Sequence, residues 1–243
     1  ALSWLIPCGV CRMCRRGEVW ACPDSPSYRH TLLDGTTGFR GVRSYCAIAT
    51  MATRSVVPAA AAIPVPAGTD PAVAALIDHA ILRPELTMAE VDLACAEAAA
   101  HRVFSVCVRP NDVRRAVSAL AGSGVEVGTV IGFPLGSTST VAKVAESRQA
   151  LDDGASELDM VLQIGRLRSG LLDEVEADIA AVVDVVGSLP VKVILETAFL
   201  TPDEIVAGCL AAERAGAVFV KTSTGFAGRG ASDEDVRLMR ETV

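Results

Sequence analysis

The sequence predicts an α/β fold built on a parallel sheet, and more specifically a (β/α)₈ barrel of the TIM type. Three observations carry that expectation. From Ala74 onward, short β-rich runs alternate with helical patterns, and alternation of this kind means parallel strands joined by right-handed crossovers. Hydrophobic residues make up 51% of the chain but aromatics only 4%, so the core must be made of Ala, Val, Leu and Ile, which suits parallel strands covered by Ala-rich helices. Polar residues gather at the C-terminal ends of the runs: Asp78-His79, Cys107, Asp159, Glu196-Thr197 and Lys221-Thr222. A doubly wound sheet fits the alternation equally well. The polar rim favours the barrel, which places its active site at that end of its strands.

The strand-like runs are Ala75–Leu82, Phe104–Val108, Val125–Ile131, Glu157–Leu162, Val191–Leu195 and Val218–Lys221. Helix-start chemistry lies between them. Thr87 precedes Glu90 by three residues, a capping box. Thr201, Pro202 and Glu204 supply an N-cap, a first-turn proline and an acid at the third helical position. Ser232 and Asp235 repeat the spacing. Ile205, Cys209 and Ala212 fall on one helical face. The result is six β/α units. The glycine fingerprint of a dinucleotide site and the Walker A motif are both missing, since Gly132-Phe-Pro-Leu-Gly136 matches neither.

Composition narrows the function. The net charge of −7 gives no reason to expect nucleic acid or an anionic membrane as a partner. No run of 18 apolar residues is present, so no membrane-spanning helix is expected. The chain opens on Ala1-Leu2-Ser3-Trp4 without a basic leader, and reads as starting inside a longer frame with no signal peptide. The charge is uneven: the first seventy residues are net basic and the remainder strongly acidic. Five of the eight cysteines lie in the first fifty residues. The Pro/Ala-rich stretch Val57–Pro66 closes the basic part. Two segments are therefore expected, residues 1–75 and residues 76–243.

The chain has three lysines against nineteen arginines. A sequence that writes Arg at its surface keeps Lys where the chemistry differs, because only lysine can shed its proton and attack a carbonyl. Lys143 lies in a helix pattern and is read as solvated. Lys221 ends a strand and is followed by Thr222, Ser223, Thr224 and Gly225, small residues that admit a substrate closely. Burial should lower its pKa. The competing reading is a structural lysine whose head reaches water. Period two along the Glu157–Leu162 run sets Glu157, Asp159 and Val161 on one face. In a barrel Asp159 then points inward, as a proton shuttle or as a buried partner of Lys192 or Lys221. The same parity groups Lys192, Ile194 and Glu196, and a Lys192–Glu196 ion pair is the structural reading there. Cys107 reads first as a small core residue.

At these residues the chain resembles a known family. Leu76–Pro84, Val106–Val108, Gly132–Gly136, Glu157–Val161, Val191–Thr197 and Val220–Phe226 follow, in order and at barrel spacing, the motifs of the deoxyribose-phosphate aldolases. The resemblance implies a class I aldolase that cleaves 2-deoxy-D-ribose 5-phosphate reversibly to acetaldehyde and glyceraldehyde 3-phosphate, with no organic cofactor or metal in the reaction. Lys221 matches the imine-forming lysine and Asp159 the proton-relay carboxylate. Asp78 and Cys107 match pocket positions. Lys192 matches a lysine near the imine that could help to keep Lys221 neutral. Thr222, Thr224 and Gly225 complete the expected pocket. Ala80 and Arg83 stand where the family usually has Thr and Lys. The match ends at Val243 after the sixth helix, so the expectation is a barrel truncated after six units and a chain inactive, or nearly so, on its own. The units beyond would carry the family's second catalytic lysine and most of its phosphate-binding residues.

The segment before the barrel is expected to be small, cysteine-rich and irregular or β. Cys8, Cys11, Cys14 and Cys22 follow C-x₂-C-x₂-C-x₇-C, a spacing that suits tetrahedral Zn²⁺. It resembles the structural-zinc lobe of medium-chain zinc alcohol dehydrogenases, without that family's catalytic ligands or nucleotide domain. The join reads as a gene fusion or a misassembled frame. The expected partner is a small phosphorylated sugar, with a homo-oligomer left open because the sequence does not fix the oligomeric state. The expected location is the cytoplasm. Two alternatives stay open: a non-catalytic fusion fragment whose only ligand is zinc, and another lysine-dependent lyase on the same barrel.

Overall fold

A computed structural model of the chain describes residues 75–243. The expected N-terminal segment, with its zinc candidates Cys8, Cys11, Cys14 and Cys22, lies outside the described residues apart from Ala75. Six strands form one sheet: β1 (Asp78–Ile81), β2 (Ser105–Val108), β3 (Glu126–Ile131), β4 (Glu157–Val161), β5 (Val191–Ile194) and β6 (Phe219–Lys221). Each pairs in parallel with its neighbour in sequence, in the order β1-β2-β3-β4-β5-β6. All six lie within the runs expected from sequence. The helices between them are α1 (Met88–His101), α2 (Val113–Ala119), α3 (Thr140–Asp152), α4 (Ile164–Arg168), α5 (Leu172–Val186), α6 (Pro202–Arg214) and α7 (Asp233–Thr242).

The sheet is curled, and one contact proves it. Four interstrand steps separate β1 from β5, roughly 19 Å if the sheet were flat. Yet Lys192 Nζ on β5 lies 2.6 Å from Asp78 Oδ2 on β1. A lysine and an aspartate cannot span the flat distance, so the strands bend into an arc whose concave face brings the two side chains together. The alternation along each strand then sorts the residues. Val106, Val127, Leu158, Met160, Val193 and Leu195 face outward into the apolar layer under the helices. Asp78, Cys107, Asp159, Lys192 and Lys221 face the concave side, where they contact one another.

Helix starts follow the sequence. Thr87 and Thr201 each close a capping box, with Glu90 and Glu204 respectively. Ser232 accepts from the backbone N–H of Asp235. Ile205, Cys209 and Ala212 are all buried under α6.

Lys143 is a correction. Its side chain is 0% exposed, not solvated. Its Nζ donates to Asp178 Oδ2 of α5 at 2.6 Å and to the Val161 carbonyl at 2.8 Å. Asp178 Oδ1 accepts from Thr140. The stem runs against Gly132, whose φ of +63° and missing Cβ both matter: a Cβ there would sit 2.7 Å from Lys143 Cε. The Gly132 N–H donates to Glu146 of the same helix. This knot ties α3 and α5 to the ends of β3 and β4.

Candidate active site

The concave face carries two ammonium groups and three carboxylates. Lys221 ends β6 and its Nζ forms a short contact with Asp159 Oδ2 in the middle of β4. Asp78 Oδ2 lies 3.7 Å from the same amine. Lys192 sits opposite Asp159 in the β4–β5 register. Its Nζ contacts Asp78 Oδ2 at 2.6 Å and Glu157 Oε2 at 2.7 Å, and stands 3.8 Å from Asp159 Oδ1. Ser105 donates to Asp78 Oδ1. The Cys107 thiol points at Asp159 Oδ2 from 3.8 Å. Five strands thus supply one connected network, buried except at its rim: the side chain of Lys192 is 7% exposed, that of Lys221 31%.

The electrostatics depart from the expectation for Lys221. Burial does press its pKa down, but the charge and hydrogen bond of Asp159 outweigh it, and the amine is held above the ordinary lysine value. Lys192 opposes that rise only weakly. For Lys192 itself, burial again presses downward, and its contacts with Asp78, Glu157 and Asp159 raise it. Asp78 is buried enough to be pushed up, yet Lys192, Ser105 and Lys221 together hold its carboxyl below the usual range. Burial pushes the Cys107 thiol far up, helped by the Asp159 charge. It is no thiolate at neutral pH. Lys221 therefore rests as an ammonium in contact with Asp159.

The loop after Lys221 is fixed from β5. The Leu195 N–H donates to the Lys221 carbonyl and the Thr197 N–H to that of Thr222. Glu196, expected beside Lys192, is not its partner. The residue lies beyond the end of β5 with a φ of +58°, which breaks the strand parity. Its carboxylate instead accepts from the backbone N–H and hydroxyl of Thr224. Thr224 in turn accepts from the Phe226 N–H, closing a turn over Gly225, whose φ is +84°. Phe226 packs edge-on against Phe133 from the loop after β3. Thr222 alternates away from Lys221 and lines a groove with Cys209, Val220 and Met239 on the outer side. The structure therefore brings together Lys221, Asp159, Asp78, Cys107 and Lys192. It places Thr224 and Gly225 in the loop above, and Thr222 outside the cluster. Sequence reasoning passed over Glu157 and Ser105. The period-two face that pointed to Asp159 also contained Glu157, and that signal was available.

Known proteins place the chain in a family. The model of the DeoC/LacD family aldolases matches residues 72–243. The chain belongs to the DeoC/LacD aldolase family. It is 52% identical over 167 residues to the deoxyribose-phosphate aldolase of Brevibacillus brevis, a match covering 69% of this chain and 76% of the relative. Against the Staphylococcus epidermidis deoxyribose-phosphate aldolase it is 51% identical over 170 residues, 70% of this chain and 77% of that one. Among solved structures it resembles a deoxyribose-phosphate aldolase from Coccidioides immitis with a TM-score of 0.70 and 47% identity, over 72% of this chain and 69% of that one. A tetrameric deoxyribose phosphate aldolase from Aeropyrum pernix gives 0.66 and 28% identity, over 71% and 73%. The six curled parallel strands are thus six β/α units of a TIM-type barrel. Among the described residues no helix is long and apolar enough to cross a membrane.

Proposed function

We propose that this class I aldolase cleaves 2-deoxy-D-ribose 5-phosphate to acetaldehyde and glyceraldehyde 3-phosphate through an imine on Lys221. The observation that carries the reading is the Lys221–Asp159 contact within reach of solvent. Asp159 takes the ammonium proton, and the freed amine attacks the C1 aldehyde of the open-chain sugar. The carbinolamine loses water to give the iminium, which draws electrons as the C2–C3 bond breaks. The C3 hydroxyl proton leaves with that step, glyceraldehyde 3-phosphate departs, and an enamine remains. Protonation at carbon and addition of water release acetaldehyde and restore the amine. Asp159 is the group positioned to carry these protons. Lys192 stays bonded to Asp78 and Glu157 while Asp159 changes state. The names of the relatives support the substrate.

Trapping with acetaldehyde and borohydride tests the assignment. The reduced adduct is expected on the peptide containing Lys221. Modification chiefly at Lys143 or Lys192 would overturn it.

The remaining assignments belong to the same proposal. The tetrameric relative supports a homo-oligomer, which light scattering checks directly. A phosphorylated sugar does not cross a bilayer unaided, which supports a cytoplasmic location. Division of the chain after residue 75, with one structural Zn²⁺ on Cys8, Cys11, Cys14 and Cys22, is tested by metal analysis of the purified chain beside Cys14→Ser. Equal zinc content in the two would sink the site.

A further inference from the structure

Glu157 is an anomaly on the concave face. It is 3% exposed, and it sits at the start of β4, two residues below the carboxylate that the chemistry uses. A buried carboxylate is costly unless it is paired, and Glu157 is paired through Oε2 alone. Its Oε1 is buried without a hydrogen-bond partner among the described residues. Space for it is provided across the sheet. Gly128 of β3 stands opposite Glu157 in the register. A Cβ on Gly128 would lie 2.7 Å from Glu157 Cγ and 2.9 Å from Oε1. Two strands are thus matched in shape around one side chain whose sole hydrogen-bonded ionic contact among the described residues is the Lys192 amine.

That contact governs where Lys192 spends its charge. Two carboxylates hold it closely, Glu157 at 2.7 Å and Asp78 at 2.6 Å, while Asp159 lies at 3.8 Å. Asp78 and Asp159 each face both lysines, and Asp159 is the one in closest contact with Lys221. We infer that Glu157, seated in the space left by Gly128, is a positioning residue of the Lys221 site: it holds the Lys192 ammonium off Asp159 and so leaves Asp159 to Lys221. Removing Glu157 lets Lys192 slide toward Asp159, which then serves two ammonium groups instead of one. The Lys221 ammonium loses part of its partner and releases its proton more readily, while Asp159 is less able to shuttle. The groups facing this cluster are Asp78 from β1, Ser105 and Cys107 from β2, Glu157 and Asp159 from β4, Lys192 from β5 and Lys221 from β6. Of these, only Glu157 contacts Lys192 without contacting Lys221 or Asp159.

The relevance to catalysis rests on the imine reading above, but the test does not. With only three lysines in the chain, ¹³Cε-lysine labelling gives three signals, assigned with single Lys→Arg variants and followed against pH. In Glu157→Gln the Lys221 midpoint is expected to fall by about half to one pH unit, less than the roughly 1–3 units that a direct opposite-charge neighbour produces. Glu157→Asp, which keeps the charge, is expected to recover most of that shift. Gly128→Ala, which displaces the carboxylate without removing it, is expected to shift the midpoint the same way. It stands in if Glu157→Gln fails to fold. An unchanged Lys221 midpoint in a folded Glu157→Gln or Gly128→Ala protein overturns the inference and leaves Glu157 a purely structural residue. Failure of borohydride trapping at Lys221 would overturn the proposed reaction and leave this titration intact.

Discussion

Two buried lysine–carboxylate pairs lie on opposite sides of the sheet, and they differ in an instructive way. Lys143 and Asp178, between α3 and α5, are both 0% exposed and are partnered one to one. Burial dominates there, and the Lys143 pKa is lowered despite Asp178. Lys221, on the concave face, shares its carboxylates with a second lysine and keeps a path to water, and its pKa is raised. A depressed lysine pKa is often taken as the mark of an imine-forming residue. Here the depressed lysine is sealed and the accessible one is not depressed. In the proposed reaction, access to a carbonyl, with a carboxylate ready to take the proton, separates the reactive pair from the structural one.

The comparison breaks most sharply at Lys221. Lys221→Arg is expected to abolish borohydride trapping, because guanidinium stays protonated and forms no imine under these conditions. Lys143→Met should leave the site of trapping unchanged in whatever fraction folds. Peptide mapping of both variants decides it, and trapping that survives Lys221→Arg would reverse the roles assigned to the two pairs.

Next in size is the carboxylate. In a chain extended by the seventh and eighth β/α units of a related aldolase, Asp159→Asn is expected to keep the imine trappable while turnover falls on the order of 10²–10⁴-fold, the usual loss for one positioned proton-transfer group. A fall of less than about threefold, read by coupled detection of glyceraldehyde 3-phosphate, would make Asp159 structural like Asp178.

The structural pair has its own signature. Lys143→Met strands a buried Asp178 charge and is expected to cost about 3–5 kcal/mol in denaturant unfolding. Lys143→Met combined with Asp178→Leu should recover most of that loss, since apolar replacement of a whole buried pair is often neutral or better. A double variant no more stable than the single would show that the Val161 and Thr140 contacts, rather than the charges, hold the knot.

The smallest effect concerns Asp78. Its carboxyl is held below the ordinary 3.8, first against burial and then by Lys192, Ser105 and Lys221. A depressed carboxyl contributes stability that is present above its unfolded pKa and is lost as pH falls through the lower folded value. Thermal melts of wild type and Asp78→Asn should differ most near neutrality and converge as the pH drops below 3.8. A gap that stays constant into that range would show that Asp78 acts by shape alone.

Much of this was legible in the sequence, for stated reasons. Short β-rich runs between helical patterns located all six strands, period two turned Asp159 inward, and side-chain capping marked the starts of α1, α6 and α7. Lys221 stood out because lysine is scarce. Lys143 was misread because its helix shows no clean apolar stripe: its buried face is Lys143, Ser147 and Ala150. The clue lay in the neighbouring helix, where Asp178 interrupts the buried stripe of Val175, Ile179 and Val182. Two charged residues on the buried faces of packed helices are each other's solution. The Lys192–Glu196 pairing failed because parity holds only while the chain stays extended, and Glu196 has already left the strand. The rise in the Lys221 pKa needed the distance to Asp159, which no spacing in the sequence supplies.

The curl of the sheet has a consequence for how the site comes into being. Lys192 and Asp78 are 114 positions apart in the chain and Lys221 and Asp159 are 62 apart. Their meeting is a high-contact-order event, completed only when the intervening strands have docked. In a partly folded chain each lysine is an ordinary surface amine with no carboxylate at hand. The imine proposed at Lys221, formed beside Asp159, would therefore report on the finished arc as a whole. Followed during refolding, the onset of trapping at Lys221 would date the docking of β6 more selectively than any backbone signal.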